Sequence, residues 1–296
     1  MDVSVIIVNY NTKELTSQCI DSIYEKSSGF TFEVILVDNA SKDGSKEHFE
    51  GDSRITYVYS NDNLGFGRAN NLGLERAKGR NILFLNPDTL LVNNAIKILS
   101  DYIDTHSDVG ACGGNLFNET MAPTISYKRI FPGLLEEFNN LFLHIPEKLW
   151  YYKTWSHNST NRVLSVANIS GADLMIRKEI LDCVGAFSPD FFMYYEETDL
   201  CFRVHRAGYK LVSVPQAQIQ HLEGKSFKSA ADIKRIKVSE DGREIFYRRN
   251  YSPLYHKVAN CIYRVALVSG QIVYKLCGYT TASNICKIKR EILSNR

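Results

Sequence analysis

Short apolar runs that stop on a carboxylate constrain this 296-residue chain more than any other feature. Val34-Ile35-Leu36-Val37 ends on Asp38, Ile82-Leu83-Phe84-Leu85 leads through Asn86-Pro87 to Asp88, and Phe191-Phe192-Met193-Tyr194-Tyr195 precedes Glu196-Glu197-Thr198-Asp199. Runs without a polar face suit strands of a buried parallel sheet. The acids then gather at one edge of that sheet, and open α/β sheets bind ligands beyond the carboxyl ends of their strands. Several carboxylates in one crevice call for a cation, and a cation there suggests a phosphorylated substrate.

The segments between these runs alternate in type. Strands are expected over 3–10, 33–38, 55–60 and 81–85, with helices over 13–27, near 46–50 and from the 63–67 loop through Lys78. Thr12 is placed to cap the first helix and Gly79 to stop the third. This order predicts an α/β fold with a mostly parallel central sheet flanked by helices. Further along, strands are expected at 109–115, 163–169 and 209–214, and helices near 177–183 and over 196–207. Residues 118–162 lack clean periodicity and read as loops and short helices over the site.

The last fifty residues differ in charge. Ten Lys/Arg against two Asp/Glu over 243–296 give +8, which leaves −6 on the rest of a chain whose net charge is +2. An acidic body with a basic tail is not the profile of a nucleic-acid binder; it suits a domain held beside an anionic surface such as a membrane. Val258, Cys261, Ile262, Val265, Val268, Ile272 and Leu276 recur at helical spacing, with Lys257, Arg264 and Lys275 along one flank. The longest uncharged stretch, 265–274, is too short to cross a bilayer. Two readings stay open: a helix lying in the membrane interface, or one packed on the protein's own core. Seven scattered cysteines without a C-x-x-C pair, and a first strand with no export signal before it, lead us to expect free thiols and a cytoplasmic protein.

Seven motifs occur in order: Asn9-Tyr10-Asn11, Val37-Asp38-Asn39-Ala40-Ser41-Lys42-Asp43-Gly44-Ser45, Asn63-Leu64-Gly65-Phe66-Gly67-Arg68-Ala69-Asn70-Asn71, Asn86-Pro87-Asp88, Ile169-Ser170-Gly171-Ala172, Glu196-Glu197-Thr198-Asp199-Leu200-Cys201-Phe202-Arg203, and His221-Leu222-Glu223-Gly224-Lys225-Ser226. Together they resemble a family 2 glycosyltransferase, most of all its bacterial rhamnosyltransferase branch, over about residues 3–228. The resemblance implies a GT-A fold (a Rossmann-like domain) over 1–242, with a nucleotide-sugar half of about 1–115 and an acceptor half of about 116–242. A helical extension, 243–296, follows. It also implies a nucleoside-diphosphate-sugar donor, with dTDP-L-rhamnose favoured, and inversion at the anomeric carbon. The acceptor would be a growing, lipid-linked glycan at the inner face of the cell membrane.

The resemblance assigns roles residue by residue. Asp38 would accept the N3–H of the pyrimidine base, although Asp-Asn before Ser-Lys-Asp-Gly is also good turn chemistry. Asn9, Tyr10, Asn63, Gly67, Arg68, Asn70 and Asn86 would line the donor pocket. Asp88 and His221 would hold Mg²⁺ or Mn²⁺, Asn86 standing where the family usually has the first acid of an Asp-x-Asp pair. Glu197 would be the general base, one methylene longer than the family's usual Asp, with Glu196 as the alternative. Gly171, Ala172, Asp173 and Glu196 would meet the acceptor, and Lys225 could meet a phosphate. A further pairing, Asp199 with Arg203, follows from their i,i+4 spacing. Two other readings keep a place: a donor-binding but inactive scaffold, since two acidic positions depart from pattern, and a nucleotidyltransferase. The latter lacks a glycine-rich, Arg-containing loop after the first strand.

Overall fold

In a computed structural model that describes residues 1–222 and 233–294, the alternating segments form a layered α/β domain with three long helices after it. Glu223-Gly224-Lys225-Ser226 of the last motif lie outside the described residues. The nucleotide half runs β1 (Val3–Asn9), α1 (Lys13–Lys26), β2 (Phe32–Asn39), α2 (Ser45–Phe49), β3 (Ile55–Ser60), α3 (Phe66–Leu74) and β4 (Asn81–Leu85). The second half follows as β5 (Thr89–Leu91), α4 (Ala95–Thr105), β6 (Val109–Phe117), β7 (Tyr127–Lys128), α5 (Leu134–Leu141), α6 (Ile145–Trp150), β8 (Leu164–Val166), β9 (Asn168–Ile169), β10 (Asp173–Arg177), α7 (Lys178–Val184), α8 (Glu196–Arg206) and β11 (Lys210–His221). The chain closes with α9 (Ile233–Asn250), α10 (Pro253–Leu276) and α11 (Thr280–Ser294).

The main sheet has the order β3-β2-β1-β4-β10-β6-β11-β5, with β8 beside β11. Its first four strands are parallel, as expected, because each connection carries a helix across a face. β10 then enters antiparallel to both β4 and β6, so the sheet is mixed beyond β4. This central strand is absent from the sequence-based expectation. Asp173-Leu174-Met175-Ile176-Arg177 is short and built of residues that also suit helices, so periodicity alone does not separate the two. Leu174, Met175 and Ile176 are nevertheless fully buried, with neighbours on both sheet faces. β11 runs well past the expected end at Val214, because Pro215 sits at an irregularity in the pairing with β6 between Ser213 and Gln218.

Apolar side chains fill both faces of the sheet, with α1 and α4 on one side and α3, α7 and α8 on the other. α9 continues through the expected division at 242/243. It is fastened to the body by a buried ion pair, Arg243 Nη2 to Glu137 Oε1 at 2.6 Å, with the Tyr247 hydroxyl donating to the same oxygen at 2.6 Å. Asp199 accepts from Arg203 Nε at 2.9 Å, as the spacing predicts, and from Asn250 Nδ2 at 3.1 Å, so it ties α8 to the end of α9. All seven cysteines are free thiols.

Candidate active site

Register brings the acids together. β4 ends at Leu85, and the chain turns through Asn86-Pro87-Asp88 into β5, which pairs antiparallel with the end of β11 so that Thr89 faces His221. The Leu222 N–H donates to the Asp88 carbonyl at 2.9 Å, closing the ladder where the side chains must meet. His221 Nε2 lies 3.2 Å from Asp88 Oδ1, both side chains about nine-tenths buried, and 3.3 Å from Asn86 Nδ2. A carboxylate and an imidazole gathered this closely, with a carboxamide beside them, form a donor set that fits Mg²⁺ or Mn²⁺.

Asn86 and Asp88, with His221 against them, stand at the wall of a cavity of ≈ 670 Å³ beyond the carboxyl ends of β1, β2 and β4; the lining is theirs and not that of His221. Tyr10, Asn39, Asn63, Asn86 and Asp88 line it, with Phe66 and the Phe192–Tyr194 turn opposite and Lys234 and Arg235 of α9 beside them. Asn39 organises one wall. Its amide donates to Asn63 Oδ1 at 3.0 Å, and its Oδ1 accepts the Leu64 N–H at 2.8 Å. Gly65 adopts φ +79° and approaches Phe192 so closely that a Cβ would lie 2.1 Å from its carbonyl oxygen. The Phe66 N–H donates to that same oxygen at 3.0 Å, so this glycine lets two cavity walls join. Gly65→Ala should therefore lower thermal stability by about 1–3 kcal/mol or more and weaken nucleotide binding with it. Unchanged melting and binding would mean that the two walls are not coupled here.

Several expected pocket residues sit behind the wall rather than in it. Asn9 is fully buried; its Oδ1 accepts from Thr12 and Thr16 and its amide donates to Ser41 Oγ at 3.0 Å, so it shapes the β1–α1 turn and does not line the cavity. Thr12 spends its hydroxyl on Asn9 and makes no side-chain cap. Asp38 is also fully buried, its Oδ1 accepting the Ser41 N–H at 2.9 Å and its Oδ2 the Tyr57 hydroxyl at 2.8 Å. Asn70 donates to the Phe66 carbonyl inside α3, Gly67 packs beneath Phe187, and Arg68 is exposed away from the cavity. Tyr10, at 47% exposure, does line it.

The acceptor side is assembled around α8, which starts from two successive left-handed residues, Tyr194 (φ 68°) and Tyr195 (φ 70°). That turn sends Glu196 and Glu197 to different places. Glu196 is buried against α3, with Oε2 unpartnered, and burial together with the Glu197 carboxylate raises its pKa well above the ordinary range. Glu197 is half-exposed, and its Oε1 accepts from the Thr198 hydroxyl at 3.0 Å. A Cβ on Gly171 would sit 3.6 Å from the Glu197 side chain and 3.6 Å from Phe66, and the Ala172 carbonyl accepts the Asn86 N–H at 3.0 Å. The Gly171-Ala172 loop thus spans from Glu197 to the Asn86-Pro87-Asp88 turn, and that turn lines the cavity. Asp173 does not: it is fully buried between β4 and β6, its Oδ2 accepting the Gly114 N–H at 2.6 Å, and burial raises its pKa well above the usual carboxylate range.

Asn39, Lys234 and Arg235 are cavity residues that sequence reasoning missed. Asn39 was overlooked beside Asp38, although strand alternation puts neighbouring side chains on opposite faces. The two cations could have been found only as part of a basic C-terminal segment, since nothing local sets them toward a cavity.

The glycosyl transferase family 2 profile matches residues 4–185. A low-salt glycan biosynthesis hexosyltransferase of Haloferax volcanii, Agl10, is 28% identical over 222 residues, covering 74% of this chain. The chain spans only 65% of that relative's length. An N-acetylglucosaminyl-diphospho-decaprenol L-rhamnosyltransferase of Mycobacterium tuberculosis is 26% identical over 205 residues, 64% of this chain and 66% of its own. Among solved structures, a mannosyltransferase of Pyrobaculum calidifontis in complex with GDP-Man and Mn²⁺ superposes with a TM-score of 0.61 at 17% identity, covering 97% of this chain and 85% of the other. That likeness fixes the fold as GT-A.

Proposed function

The chain belongs to glycosyl transferase family 2, and we propose that it moves a sugar from a nucleoside diphosphate to a hydroxyl of a growing glycan, inverting the anomeric carbon. The observation that carries this reading is the presence of Asp88 and Asn86 at one wall of a nucleotide-sized cavity with His221 against them, and Glu197 across the Gly171-Ala172 loop.

In this reading the donor half is about 1–115 and the acceptor half about 116–242. Asp88, His221 and Asn86 would hold Mg²⁺ or Mn²⁺, which would supply positive charge to offset that of the departing diphosphate. Lys234 and Arg235 add positive charge on the same side. Glu197, held by Thr198, takes the proton of the acceptor hydroxyl as that oxygen attacks from the face opposite the leaving group. The nucleobase stacks against Tyr10, and the Tyr57 hydroxyl must swing off Asp38 Oδ2 to open the wall and let the imide N–H reach that buried carboxylate. Asp38→Asn should then weaken nucleoside diphosphate binding by about tenfold to a hundredfold, the worth of a charge-assisted hydrogen bond. Calorimetry with dTDP and UDP measures this; unchanged affinity removes Asp38 from base recognition.

dTDP-L-rhamnose is the favoured donor and a lipid-linked glycan the favoured acceptor; the mycobacterial relative, named for L-rhamnosyl transfer to a diphospho-decaprenol-linked sugar, supports the sugar and the lipid link. Such an acceptor places the protein at the inner face of the membrane. No described helix is long and apolar enough to cross a bilayer, so the contact proposed is peripheral. A thermal-shift screen of nucleotide sugars with and without Mn²⁺, followed by transfer assays on the stabilising donor, tests the reading. Absence of stabilisation by any nucleotide sugar would overturn it.

A further inference from the structure

The apolar stripe on α10 has two faces in the structure. Ala259, Tyr263, Ala266, Leu267 and Gly270 turn inward against the body, α5 and α11. Val258, Cys261, Val265, Val268, Ile272 and Leu276 stay exposed, spaced by three and four residues along one side of a 24-residue helix. The helix begins cleanly, with Pro253 in its first turn and the Ser252 hydroxyl accepting from the Tyr255 N–H, so the stripe is held in a fixed register.

A second exposed apolar surface lies beside it. α5 runs along α10, from the Leu134 N–H on the Tyr255 hydroxyl to Leu143 against Gly270. Phe138, Phe142, Leu149 and Trp150, from α5 and α6, point away from the core, Trp150 at 83% exposure. Such residues on one segment are far more apolar surface than a solvated loop needs.

The charges decide what this surface meets. Three acids occur over 133–155, and none is fully exposed: Glu137 and Glu147 are buried, and Glu136, half-buried, lines a cavity with His144 and Trp155. The exposed charges of that stretch are Lys148 and Lys153. α10 contributes Lys257, Arg264 and Lys275 and contains no acid. An apolar face rimmed by cations, with interfacial aromatics, suits a bilayer carrying anionic headgroups. Two copies of such a face would bring like charges together.

We propose that α5, α6 and the exposed side of α10 form one docking face for an anionic lipid surface, a platform built into the acceptor half rather than a detachable tail. This rests on the peripheral reading above. The consequence for function is geometric. α9 lines the donor cavity at Lys234 and Arg235 and leads directly into α10, so docking would fix the distance between the donor cavity and the headgroup plane.

The test uses the full chain and vesicles of phosphatidylcholine with and without phosphatidylglycerol. Trp150 and Trp155 are the only tryptophans, so a Trp155→Phe background reports on Trp150 alone. Wild type should co-sediment with anionic vesicles, with a blue-shifted Trp150 emission, and bind neutral ones at least about tenfold more weakly. Leu149→Glu with Phe142→Glu, and separately Val265→Glu with Ile272→Glu, should each lower anionic binding by about tenfold or more. Thermal shift by nucleotide sugar, and transfer to a soluble acceptor analogue, should stay unchanged in both variants, which separates failure of docking from failure of the transferase reading. Loss of binding in only the α10 variant would overturn the composite face. So would an absence of wild-type binding, or a lipid-free dimer that both variants dissociate.

Discussion

Replacing Asp88 with alanine should lower glycosyl transfer by about a thousandfold or more while leaving the fold intact. Among the described residues its side chain makes no hydrogen bond to the backbone; its partner is the His221 imidazole at 3.2 Å, and only its carbonyl serves the β5–β11 ladder through Leu222. Removing a mostly buried carboxylate therefore costs little of the structure, and melting should move by only a few degrees. The loss falls on cation binding, because the carboxamide of Asn86 and the imidazole of His221 bring no negative charge of their own. His221→Ala should act in the same direction but more weakly, by about tenfold to a hundredfold. Both effects are read as kcat/KM against Mn²⁺ concentration, together with stabilisation by donor with and without the ion. An Asp88 variant that keeps a tenth of wild-type transfer at saturating Mn²⁺ would remove this residue from the reaction.

Most of the nucleotide half is legible in the sequence because each strand is a short run apolar on both faces and each helix has a stop. Asp88 and Glu197 were legible for the same reason, as acids immediately past apolar segments. What stayed hidden depends on pairing between distant segments. The family resemblance alone pairs His221 with Asp88; the physical reason, the antiparallel alignment of β5 with the end of β11, is hidden from a local reading because Pro215 masks that end of the strand. β10 has no periodicity to announce it, so Asp173, taken for an acceptor contact, is in fact sealed within the sheet. α10 presents a different limit. Periodicity fixes that one side is apolar, yet the side that packs inward is another, where Tyr263 and Leu267 are set among the small residues Ala259, Ala266 and Gly270.

The adjacent acids Glu196 and Glu197 should separate under substitution and under pH. Glu197→Gln should lower kcat by about a hundredfold to ten-thousandfold, the usual worth of a general base, with donor binding unchanged. Glu196→Gln should keep most of the transfer activity, because that carboxyl is buried against α3 and faces no cavity. Its signature is stability instead. Burial and the neighbouring Glu197 charge raise the Glu196 pKa well above its ordinary 4.5 in the folded protein. A raised carboxyl pKa means the native state binds the proton more tightly than the unfolded chain. The associated stability is complete below about 4.5, the unfolded value, and is lost as pH rises through the folded one. Wild type should thus melt progressively lower as pH climbs above that range, whereas Glu196→Gln, permanently neutral, should flatten the decline and melt higher than wild type at pH 8. Unfolding curves of both proteins across this range settle the assignment. A Glu196 variant that loses transfer while Glu197→Gln retains it would exchange their roles, and the buried acid would have to reach the acceptor by moving out from beneath α3.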